Sequence, residues 1–568
     1  MTLAAASLTW AIIYYHLKVF SYWSSRGVPG PQPWPIFGTN IYYIFINKLE
    51  LDRKWRQQYG HTYGLYEGYY PLLRTTDNEL IKNIYLKQFG SFTDRNSRFV
   101  HGRVQKNWLL WSKGLRWANQ RALVSPMFSS AKMRPMFNSM SDCVDRFLAA
   151  QGAKSESINP SKMANQVTET KSASWPIERA VPFGKSDLSH MTLDVIATCF
   201  FGLKLDTYDV AQNEFLREAY KFSTFNVAWF IVWLLTPTIV AKYLEIDLFR
   251  QSRLNYFTKL TQRVLDERRR NKEHGKADII QAFIDAKLPD EYEQVFSQED
   301  DKEAHYNDNT GHEQLESLQK KQTSEAKYFK RFTDLEIKGQ MVFLFLAGFE
   351  TTAATLSFAS LELAAHPEIQ DTLHAELMDK LKCTTEEKLA EYEFSKDNYA
   401  DLLDLKQLDC FVSEVLRLYS PILEHTRVVT DPDGVTVESA NLPKPLYLAP
   451  GVAIATDGFT LQRDEDYFER PDEFDMTRFS AQNRAKIKPA TFMPFGLGPR
   501  HCAGMRFALI EIKVALAKIL AKCRVEHGST CNYPPKFIKN AIFLSTEKLD
   551  FRLTPRIPVP MAAVALVA

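Results

Sequence analysis

A long apolar run after residue 333 constrains the fold of this chain more than any other feature. The run LEIKGQMVFLFLAGFETTAATLSFASLELAAHPEI carries only scattered charges and stops at His366 and Pro367. Thr333 and Glu336 have the spacing of a capping box at a helix start. At 1.5 Å per residue, about 30 residues reach roughly 45 Å, the width of a domain. The sequence therefore predicts one long helix that runs through the core.

Polar residues interrupt this helix at its middle. A glycine inside a helix, here Gly348, costs up to about 1 kcal/mol relative to alanine. A buried carboxylate at Glu350 costs more unless it has a partner. We therefore expect a close approach to the backbone at Gly348 and a use for Glu350 and Thr351. The alternative is structural, with Thr351 bonded to the preceding turn and Glu350 in an ion pair.

A second stretch, FMPFGLGPRHCAGMRFALIEIKVALAKIL, places Cys502 on a glycine-rich loop directly before an apolar helix. The helix N-terminus is expected to lower the pKa of the thiol and favour the thiolate. Gly496 and Gly498 allow a tight loop that can lie flat against a planar partner, and Arg500 supplies a cation. These features suit the axial ligand of a haem.

Two other interpretations apply to the same loop. A nucleophilic cysteine needs a histidine base and an orienting Asn or Asp, and the position of His501 next to Cys502 does not by itself bring its ring to the sulfur. A dinucleotide-binding fingerprint needs a third glycine where His501 stands, so this interpretation is rejected.

The sequence resembles the cytochrome P450 family of haem-thiolate monooxygenases, from about Trp23 to about Leu553. Several motifs of the family occur in its order. They are WxxxR (Trp117, Arg121), the central-helix signature (Ala347, Gly348, Glu350, Thr351, Thr352), ExxR (Glu414, Arg417), Arg478 in PDEFDMTRF, and FxxGxRxCxG (Phe495, Gly498, Arg500, Cys502, Gly504). Their details look most like the animal microsomal branch, which includes drug and steroid oxidases and thromboxane synthase.

The resemblance implies a mainly α fold with small β-sheets, in which the long central helix lies over haem b and Cys502 ligates the iron. The roles that it implies for other residues fall into three groups. They are contacts to the cofactor or room around it (Trp117, Arg121, Ala347, Gly348, Arg427, Phe495, Arg500, Gly504), proton relay (Glu350, Thr351), and a structural Glu–Arg–Arg network (Glu414, Arg417, Arg478).

The implied activity is the insertion of one oxygen atom from O2 into an apolar lipid, steroid or xenobiotic. The chain shows no flavin- or nicotinamide-binding motif, so electrons are expected from NADPH through a separate cytochrome P450 reductase, with cytochrome b5 as a possible second donor. Arg506 and Lys513 are candidate contacts for that partner, with an ordinary structural charge as the alternative. Substrate is expected to contact the loop at residues 95–110, the segment Val227–Leu235 and residues near His425.

Two other functions stay open beside the monooxygenase. One is a haem-thiolate isomerase or dehydratase that acts on a lipid peroxide, and the other is a haem protein that binds ligands without turnover. The presence of both Glu350 and Thr351 favours the monooxygenase.

The composition argues against a nucleic-acid partner. Lys and Arg together number 70 against 68 for Asp and Glu, which leaves a net charge of only +2. The seven cysteines are scattered and contain no CxxC pair, which favours a reducing compartment over a zinc site or a disulfide framework.

The N-terminus predicts a membrane anchor. Residues Leu3–Trp23 are rich in apolar and aromatic side chains, and a span needs about 20 such residues. Because Lys18 and Arg26 lie at the far end of the run, the N-terminus is expected across the endoplasmic reticulum membrane and the catalytic domain on the cytosolic side. A cleaved signal peptide would want a basic start and a cleavage site, and neither is evident.

The predicted domain organisation follows from these segments. It comprises an anchor (1–23), a proline-rich hinge (24–40), a catalytic domain (41–555) with polar insertions at about 152–174 and 290–330, and a tail (556–568). The catalytic domain is expected to begin with a hairpin after His61. The apolar segment Val227–Leu235 is either a core helix or a surface element that dips into the membrane.

Overall fold

A computed structural model shows how these segments fold. It describes residues 17–35, 37–98, 100–157, 180–205, 213–223, 229, 236, 238–247, 249, 251–271, 278–286, 331–539, 543–546 and 549–557. Most of the predicted anchor, most of the segment Val227–Leu235, the whole insertion at 290–330 and most of the insertion at 152–174 lie outside these residues.

Helices make up most of the described chain. In chain order they are α1 (Tyr42–Phe45), α2 (Lys48–Tyr59), α3 (Asn78–Lys82), α4 (Gly114–Val124), α5 (Ser130–Ser157), α6 (Lys185–Phe201), α7 (Glu214–Ser223), α8 (Thr238–Tyr243), α9 (Gln251–Asn271), α10 (Ile279–Asp285), α11 (Asp334–Ala365), α12 (Pro367–Lys380), α13 (Glu386–Ala390), α14 (Tyr399–Leu403), α15 (Lys406–Leu418), α16 (Gly458–Leu461) and α17 (Met505–Lys522). Short 3-10 turns lie at Ser24–Arg26, Phe89–Ser91, Gln105–Asn107, Ser125–Phe128, Met476–Phe479 and Arg484–Lys486, and a π-turn at Asn83–Lys87.

The strands form three small sheets. They are β1 (Thr62–Glu67), β2 (Tyr70–Thr75), β3 (Val181–Gly184), β4 (Glu424–Val428), β5 (Val435–Val437), β6 (Leu446–Leu448), β7 (Ala453–Asp457), β8 (Cys523–His527) and β9 (Asp550–Pro555). The first sheet has the order β1-β2-β7-β4, with β2 and β7 parallel and the other pairs antiparallel. The second has the order β3-β9-β8, and β5 pairs with β6. A mainly helical fold with small sheets is confirmed.

The long apolar run forms α11, as predicted. Thr333 and Glu336 make the capping box in both directions, and the helix ends at Ala365, directly before His366 and Pro367. Within the described residues, α11 is the one helix long and apolar enough to cross a membrane, but 72% of its most apolar window is buried inside the protein. It is therefore the core helix, and it packs most extensively against α6.

The predicted hairpin is β1–β2, and the end of the predicted anchor packs on it. Trp23 is buried and its indole donates to the carbonyl of Leu65, with 2.8 Å between nitrogen and oxygen. A Cβ at Gly64 would come within 2.2 Å of this indole, so the strand needs glycine there. Trp23 thus belongs structurally to the folded body. At the first polar insertion, α5 continues to Ser157 before the described residues stop.

Candidate active site

The loop before α17 is closed by its own backbone. The amide of Cys502 donates to the carbonyl of Phe495 at 2.8 Å, and the amide of His501 donates to the carbonyl of Gly498 at 2.8 Å. Gly496 and Gly498 have φ of 81° and 74°, a region that favours glycine. These bonds hold Cys502 three residues ahead of the first residue of α17, Met505.

Gly498 is also required by a close neighbour. A Cβ there would lie 2.1 Å from the carbonyl oxygen of Tyr85, which nothing but a backbone shift could relieve. Gly504 differs, because a Cβ there would meet the ring of Phe128 only at 3.8 Å, an ordinary contact. The described structure gives no reason for glycine at 504.

The predicted lowering of the Cys502 pKa is wrong for the protein alone. Cys502 is exposed as a residue, yet burial of the thiol by the surrounding protein raises its pKa. The amide of Gly504 and the charges of Arg121 and Arg95 act in the lowering direction but do not outweigh it. Burial therefore disfavours the thiolate in the protein alone, and a cation bound to the sulfur would favour it.

Four arginines surround this loop. Arg95 donates to the carbonyl of Arg500 at 2.7 Å, and Arg121 donates to the carbonyl of His501 at 3.0 Å. Arg427 donates to the carbonyl of Leu497 at 3.1 Å. Arg500 donates to the carbonyl of Ser112 and lies 4.2 Å from the centre of the Trp117 ring. Trp117, Arg121, Arg427 and the cysteine motif thus converge on one region, and Arg95 joins them.

The positive charge of this cluster is largely uncompensated within the described residues. Arg500 forms an ion pair with Asp94, with 3.4 Å between nitrogen and oxygen. Burial, opposed by too few anions, lowers the pKa of Arg427 to about 9 and that of Arg121 to about 10. Burial, with the charges of Arg95 and Arg427, also lowers the pKa of Arg500.

Several guanidinium nitrogens of the cluster are buried without a hydrogen-bond partner in the described structure. They are Nε of Arg121, Nε of Arg427, and Nε and Nη1 of Arg500. Buried donors of this kind cost free energy unless something accepts their hydrogens. The arrangement is suited to a ligand that carries at least two acidic groups.

His501 is not available as a base for Cys502. Its Nδ1 lies 2.9 Å from the carbonyl of Gly498 and its Nε2 lies 2.9 Å from Nη2 of Arg121. We assign the proton to Nδ1, because the guanidinium can only donate. Both ring nitrogens are thus engaged away from the sulfur, which removes the interpretation of a nucleophilic cysteine activated by this histidine.

The middle of α11 has the arrangement of the structural alternative. The hydroxyl of Thr351 donates to the carbonyl of Ala347 at 2.6 Å, and Oε2 of Glu350 lies 3.5 Å from Nζ of Lys185. A Cβ at Gly348 would lie 2.5 Å from Cδ1 of Ile196. The close approach expected at Gly348 therefore comes, at least on this face, from α6.

Arg417, in α15, is a fully satisfied arginine. All five N–H groups of Arg417 have acceptors: the two carboxylate oxygens of Glu414 and the carbonyls of Gln462, Pro471 and Glu473. Glu414 also accepts from Nε of Arg478 at 3.3 Å and from the amide of Asp475 at 2.9 Å. The network is closed and leaves no donor of Arg417 for a ligand.

Comparison with known proteins agrees with this geometry. The family model described as Cytochrome P450 matches residues 28–174 and 184–553. The chain belongs to the cytochrome P450 family.

The relatives match this P450 over nearly the whole length of both chains. Cytochrome P450 3A13 of Mus musculus is 30% identical over 541 residues, covering 93% of this chain and 92% of the relative. Cytochrome P450 3A11 of Mus musculus is 28% identical over 549 residues, covering 95% and 94%. Cytochrome P450 3A29 of Sus scrofa is 28% identical over 537 residues, covering 93% and 92%. The P450 is thus an oxidoreductase, a haem monooxygenase whose iron is held by a cysteine.

The residues present fit the haem of a P450. A haem carries two propionates, and the unpartnered nitrogens of Arg121, Arg427 and Arg500 provide the donors that two carboxylates need. The ring of Trp117 packs against the guanidinium of Arg500, with 4.2 Å between the guanidinium carbon and the centre of the ring. Phe495 is half-buried on the cysteine loop. These contacts remain predictions of the sequence.

Sequence reasoning missed three residues of this region. Arg95 lies in the loop that was expected to contact substrate, and its charge in DRNSR was the available signal. Asp94 and Lys185 gave no signal, because each acts through a partner that is remote in sequence.

The structure gives the surroundings of the other predicted contacts. Lys513 is buried and forms an ion pair with Asp409, which supports the structural alternative over a contact with a redox partner. His425 is buried beside the cysteine loop, and burial with the charges of Arg95 and Arg427 lowers its pKa to about 3. The loop at 95–110 docks on α11, where the amide of Leu109 donates to Gln340 at 3.1 Å.

Proposed function

We propose that Cys502 holds the haem iron and that this P450 inserts one atom of O2 into an apolar lipid, steroid or xenobiotic. NADPH supplies the electrons through a separate reductase, with cytochrome b5 as a second donor. The observation that carries the proposal is the set of buried, unpartnered guanidinium nitrogens around the Cys502 loop. An acidic planar cofactor is the ligand that would satisfy them.

The haem, when bound, supplies the activation of O2 and the transfer of oxygen. The chain supplies the rest. Arg121, Arg427 and Arg500 bind the propionates, and Arg95 adds positive charge beside them. Cys502 gives its thiolate to the iron, which removes the cost of burying that charge alone.

Proton delivery is the second task of the chain. Thr351 Oγ1, which donates to the carbonyl of Ala347 in this structure, would be the hydroxyl that passes protons on when the haem is bound. Glu350 supplies the replacement proton. The preference for the monooxygenase over an isomerase rests on this pair, because a rearrangement of a peroxide needs no outside protons.

The proposed location is the endoplasmic reticulum membrane, with the anchor at residues 1–23 and the catalytic domain in the cytosol. The microsomal relatives and the apolar N-terminal sequence support it. Arg506 remains a proposed contact for the reductase.

A spectroscopic and a kinetic experiment test the proposal together. The reduced carbon monoxide complex of the full chain should absorb near 450 nm, and Cys502→Ala should lose that band. Cys531→Ala, at a half-buried cysteine, is the matched control. With reductase and NADPH, a library of steroids, fatty acids and drugs should yield at least one oxygenated product.

Turnover of a lipid hydroperoxide without NADPH, and of nothing with it, would replace the proposal by the isomerase. A 450 nm band that survived in Cys502→Ala would remove the ligand assignment.

A further inference from the structure

Arg98 lies near the edge of the candidate active site. Arg95, three residues earlier, donates to the carbonyl of Arg500 on the cysteine loop. Three extended residues span at most about 11 Å, so the Cα of Arg98 lies within about 11 Å of that of Arg95. The amide of Asn96 donates to the hydroxyl of Thr426 on β4 at 3.4 Å. The segment that carries Arg98 is thus attached to the site, and it belongs to the loop that was expected to contact substrate.

Neighbouring side chains fix the guanidinium of Arg98. Its Nε donates to Oδ1 of Asn96 at 3.1 Å, and its carbon lies 4.4 Å from the centre of the Tyr70 ring. Nδ2 of Asn96 donates in turn to Oε2 of Glu67 at 2.7 Å. The arginine is therefore oriented before a ligand binds, which reduces the entropy that binding would otherwise cost.

This guanidinium keeps a buried donor that the protein does not satisfy. Nη2 of Arg98 has no hydrogen-bond partner in the part of the chain that the structure describes, and the same is true of the buried hydroxyl of Ser97. Such donors cost free energy until an acceptor binds to them. Burial lowers the pKa of Arg98, and the nearby Glu67 and Tyr70 oppose this without outweighing it. Both the charge and the hydrogen bonding of Arg98 are thus incompletely satisfied by the protein.

The turn between β1 and β2, where Tyr70 lies, adjoins the end of the predicted anchor. The ring of Phe20 stacks on that of Tyr69, with 5.6 Å between their centres, and the indole of Trp23 donates to the carbonyl of Leu65. Tyr70 itself is 40% exposed. With the anchor in the membrane, as proposed above, this turn and Arg98 lie on the side from which a substrate dissolved in lipid arrives.

We propose that Arg98 binds the carboxylate of an amphiphilic substrate of the fatty-acid class, with the hydrocarbon chain of that substrate directed toward the haem. The proposal rests on the proposed function and selects acidic lipids from its broader substrate class. A carboxylate satisfies the free donor and the charge of Arg98 together, whereas a neutral carbonyl satisfies the donor alone. Tyr70 and Asn96 act as positioning residues, because they hold the guanidinium and leave Nη2 to the ligand.

Glu67 gives the proposal a second, opposite test. Its carboxylate faces the same arginine through Asn96, so it repels a second carboxylate at Arg98. Removal of the charge of Glu67 should therefore strengthen the binding of an acid and leave the binding of a neutral ligand unchanged.

The experiment uses the full chain with haem in discs of phosphatidylcholine, a lipid without net charge. Substrate-binding difference spectra give the dissociation constants of hexadecanoic acid, its alcohol and its methyl ester. Because every variant is in the same lipid, the partitioning of each ligand into the disc cancels when variants are compared. The variants are Arg98→Met, Arg98→Lys and Glu67→Gln, and the thermal midpoint of each is recorded.

Arg26→Met is the matched control. Arg26 also lies over a tyrosine near the anchor, with 3.8 Å between its guanidinium carbon and the centre of the Tyr22 ring. Its Nη1, however, already donates to the carbonyl of Tyr22 at 3.0 Å. The control therefore removes a cation from the same side of the protein and should leave the affinity for the acid as in the wild type.

Arg98→Met should bind hexadecanoic acid about tenfold more weakly, the worth of one charge-assisted hydrogen bond. Its affinity for the alcohol and the ester should stay within about twofold of the wild type, a difference well below that of such a bond. Arg98→Lys should recover part of the loss, because an ammonium keeps the charge and lacks the planar fork. Glu67→Gln should bind the acid more tightly. With reductase and NADPH, the wild type should oxidise the acid at carbons remote from the carboxylate.

Three results would overturn the proposal. The first is an affinity for the acid that Arg98→Met leaves unchanged. The second is an equal loss for the acid, the alcohol and the ester, because Arg98 would then be structural. The third is an unchanged affinity for the acid together with weaker attachment of Arg98→Met to vesicles of phosphatidylcholine and phosphatidylserine, because Arg98 would then face lipid headgroups.

Failure of the proposed function is a separate result. If the wild type binds the acid through Arg98 and forms no oxygenated product from any substrate, the monooxygenase is wrong and the carboxylate site stands. If the wild type oxygenates neutral substrates and Arg98→Met leaves the affinity for the acid unchanged, the monooxygenase stands and the carboxylate site is wrong.

Discussion

Two buried arginines of this P450, Arg417 and Arg427, are exposed to the same small extent, 1% each, and differ in everything else. Arg417 has acceptors for all five N–H groups, two of them from the carboxylate of Glu414. Arg427 donates to two carbonyls and keeps a buried Nε without a partner in the described structure. The protein supplies every acceptor for Arg417, whereas Arg427 keeps a donor that a ligand could accept from.

The difference shows how a structural charge can be told from a binding charge. A buried cation is tolerated when the protein itself supplies the acceptors, and such a site has nothing left for a ligand. A buried cation with unsatisfied donors lowers the stability of the protein until a ligand accepts from those donors. Its presence in the structure therefore points to a ligand. The family resemblance names both arginines, and the acceptors around each of them distinguish the two environments.

The largest expected effect is at the satisfied arginine. Arg417→Met leaves the carboxylate of Glu414 buried with Arg478 as its remaining guanidinium partner, and we expect a loss of about 3–5 kcal/mol in the free energy of unfolding. Urea unfolding followed by circular dichroism measures it. Arg470→Met, at an exposed ion pair, is the control and should change little. A loss below about 1 kcal/mol would contradict the comparison.

The second effect is at the unsatisfied arginine. Arg427→Met should weaken haem binding by about 10- to 100-fold, the worth of one or two charge-assisted hydrogen bonds. The stability of the haem-free protein should fall by much less than in Arg417→Met, because an uncompensated charge is removed along with two bonds to carbonyls. Haem transfer to apomyoglobin and urea unfolding of the haem-free chain give the two quantities. Equal losses of stability in the two variants would show that the acceptors around an arginine do not separate a structural charge from a binding charge.

A pair of glycines sharpens the comparison within the cysteine loop. Gly498→Ala forces a Cβ against the carbonyl of Tyr85 at a positive φ, and we expect a loss of about 1–3 kcal/mol together with weaker haem retention. Gly504→Ala should stay within about 0.5 kcal/mol, because its Cβ meets only an ordinary contact. Thermal unfolding of both variants measures the difference. A larger loss at 504 than at 498 would mean that the haem, and not the protein, decides which glycine is needed.

The smallest effect concerns an ion-paired site, where Glu424 pairs with Arg74 and Lys48. Burial would raise the pKa of Glu424, but these two cations outweigh it and hold the pKa at about 2. A carboxyl group whose pKa is lower in the folded than in the unfolded protein stabilises the fold at any pH above its unfolded pKa. This contribution is lost as the pH falls from about 4.5 toward 2.

Glu424→Gln should therefore cost about 1–2 kcal/mol at pH 7 and progressively less below about pH 4.5. Chemical unfolding at pH 7, 5 and 3 follows the difference, with Glu473→Gln at an exposed pair as the control. A cost that did not shrink on acidification would assign the effect to packing and not to the charge.

Much of the fold could be predicted because it depends on local patterns. The bounds of α11 follow from a capping box and a His-Pro stop, and the hairpin β1–β2 follows from alternation around glycine. The position of Cys502 ahead of a helix follows from the local sequence pattern, and the P450 family follows from the resemblance of several motifs. The predicted fall in the pKa of Cys502 was wrong, because the helix end is a local effect and the desolvation that exceeds it comes from surrounding chain.

By itself the sequence determined what depends on neighbours along the chain: the long core helix, the cysteine loop, the ExxR pair and the family to which the protein belongs. Only the tertiary structure decided which buried charges have acceptors. It alone brought Arg95 to the cysteine loop, placed Lys185 against Glu350 and made Lys513 a structural charge with Asp409. The physical reason is that hydrogen bonding and desolvation depend on atoms that are near in space, and these partners lie from 104 to 405 residues apart in the chain.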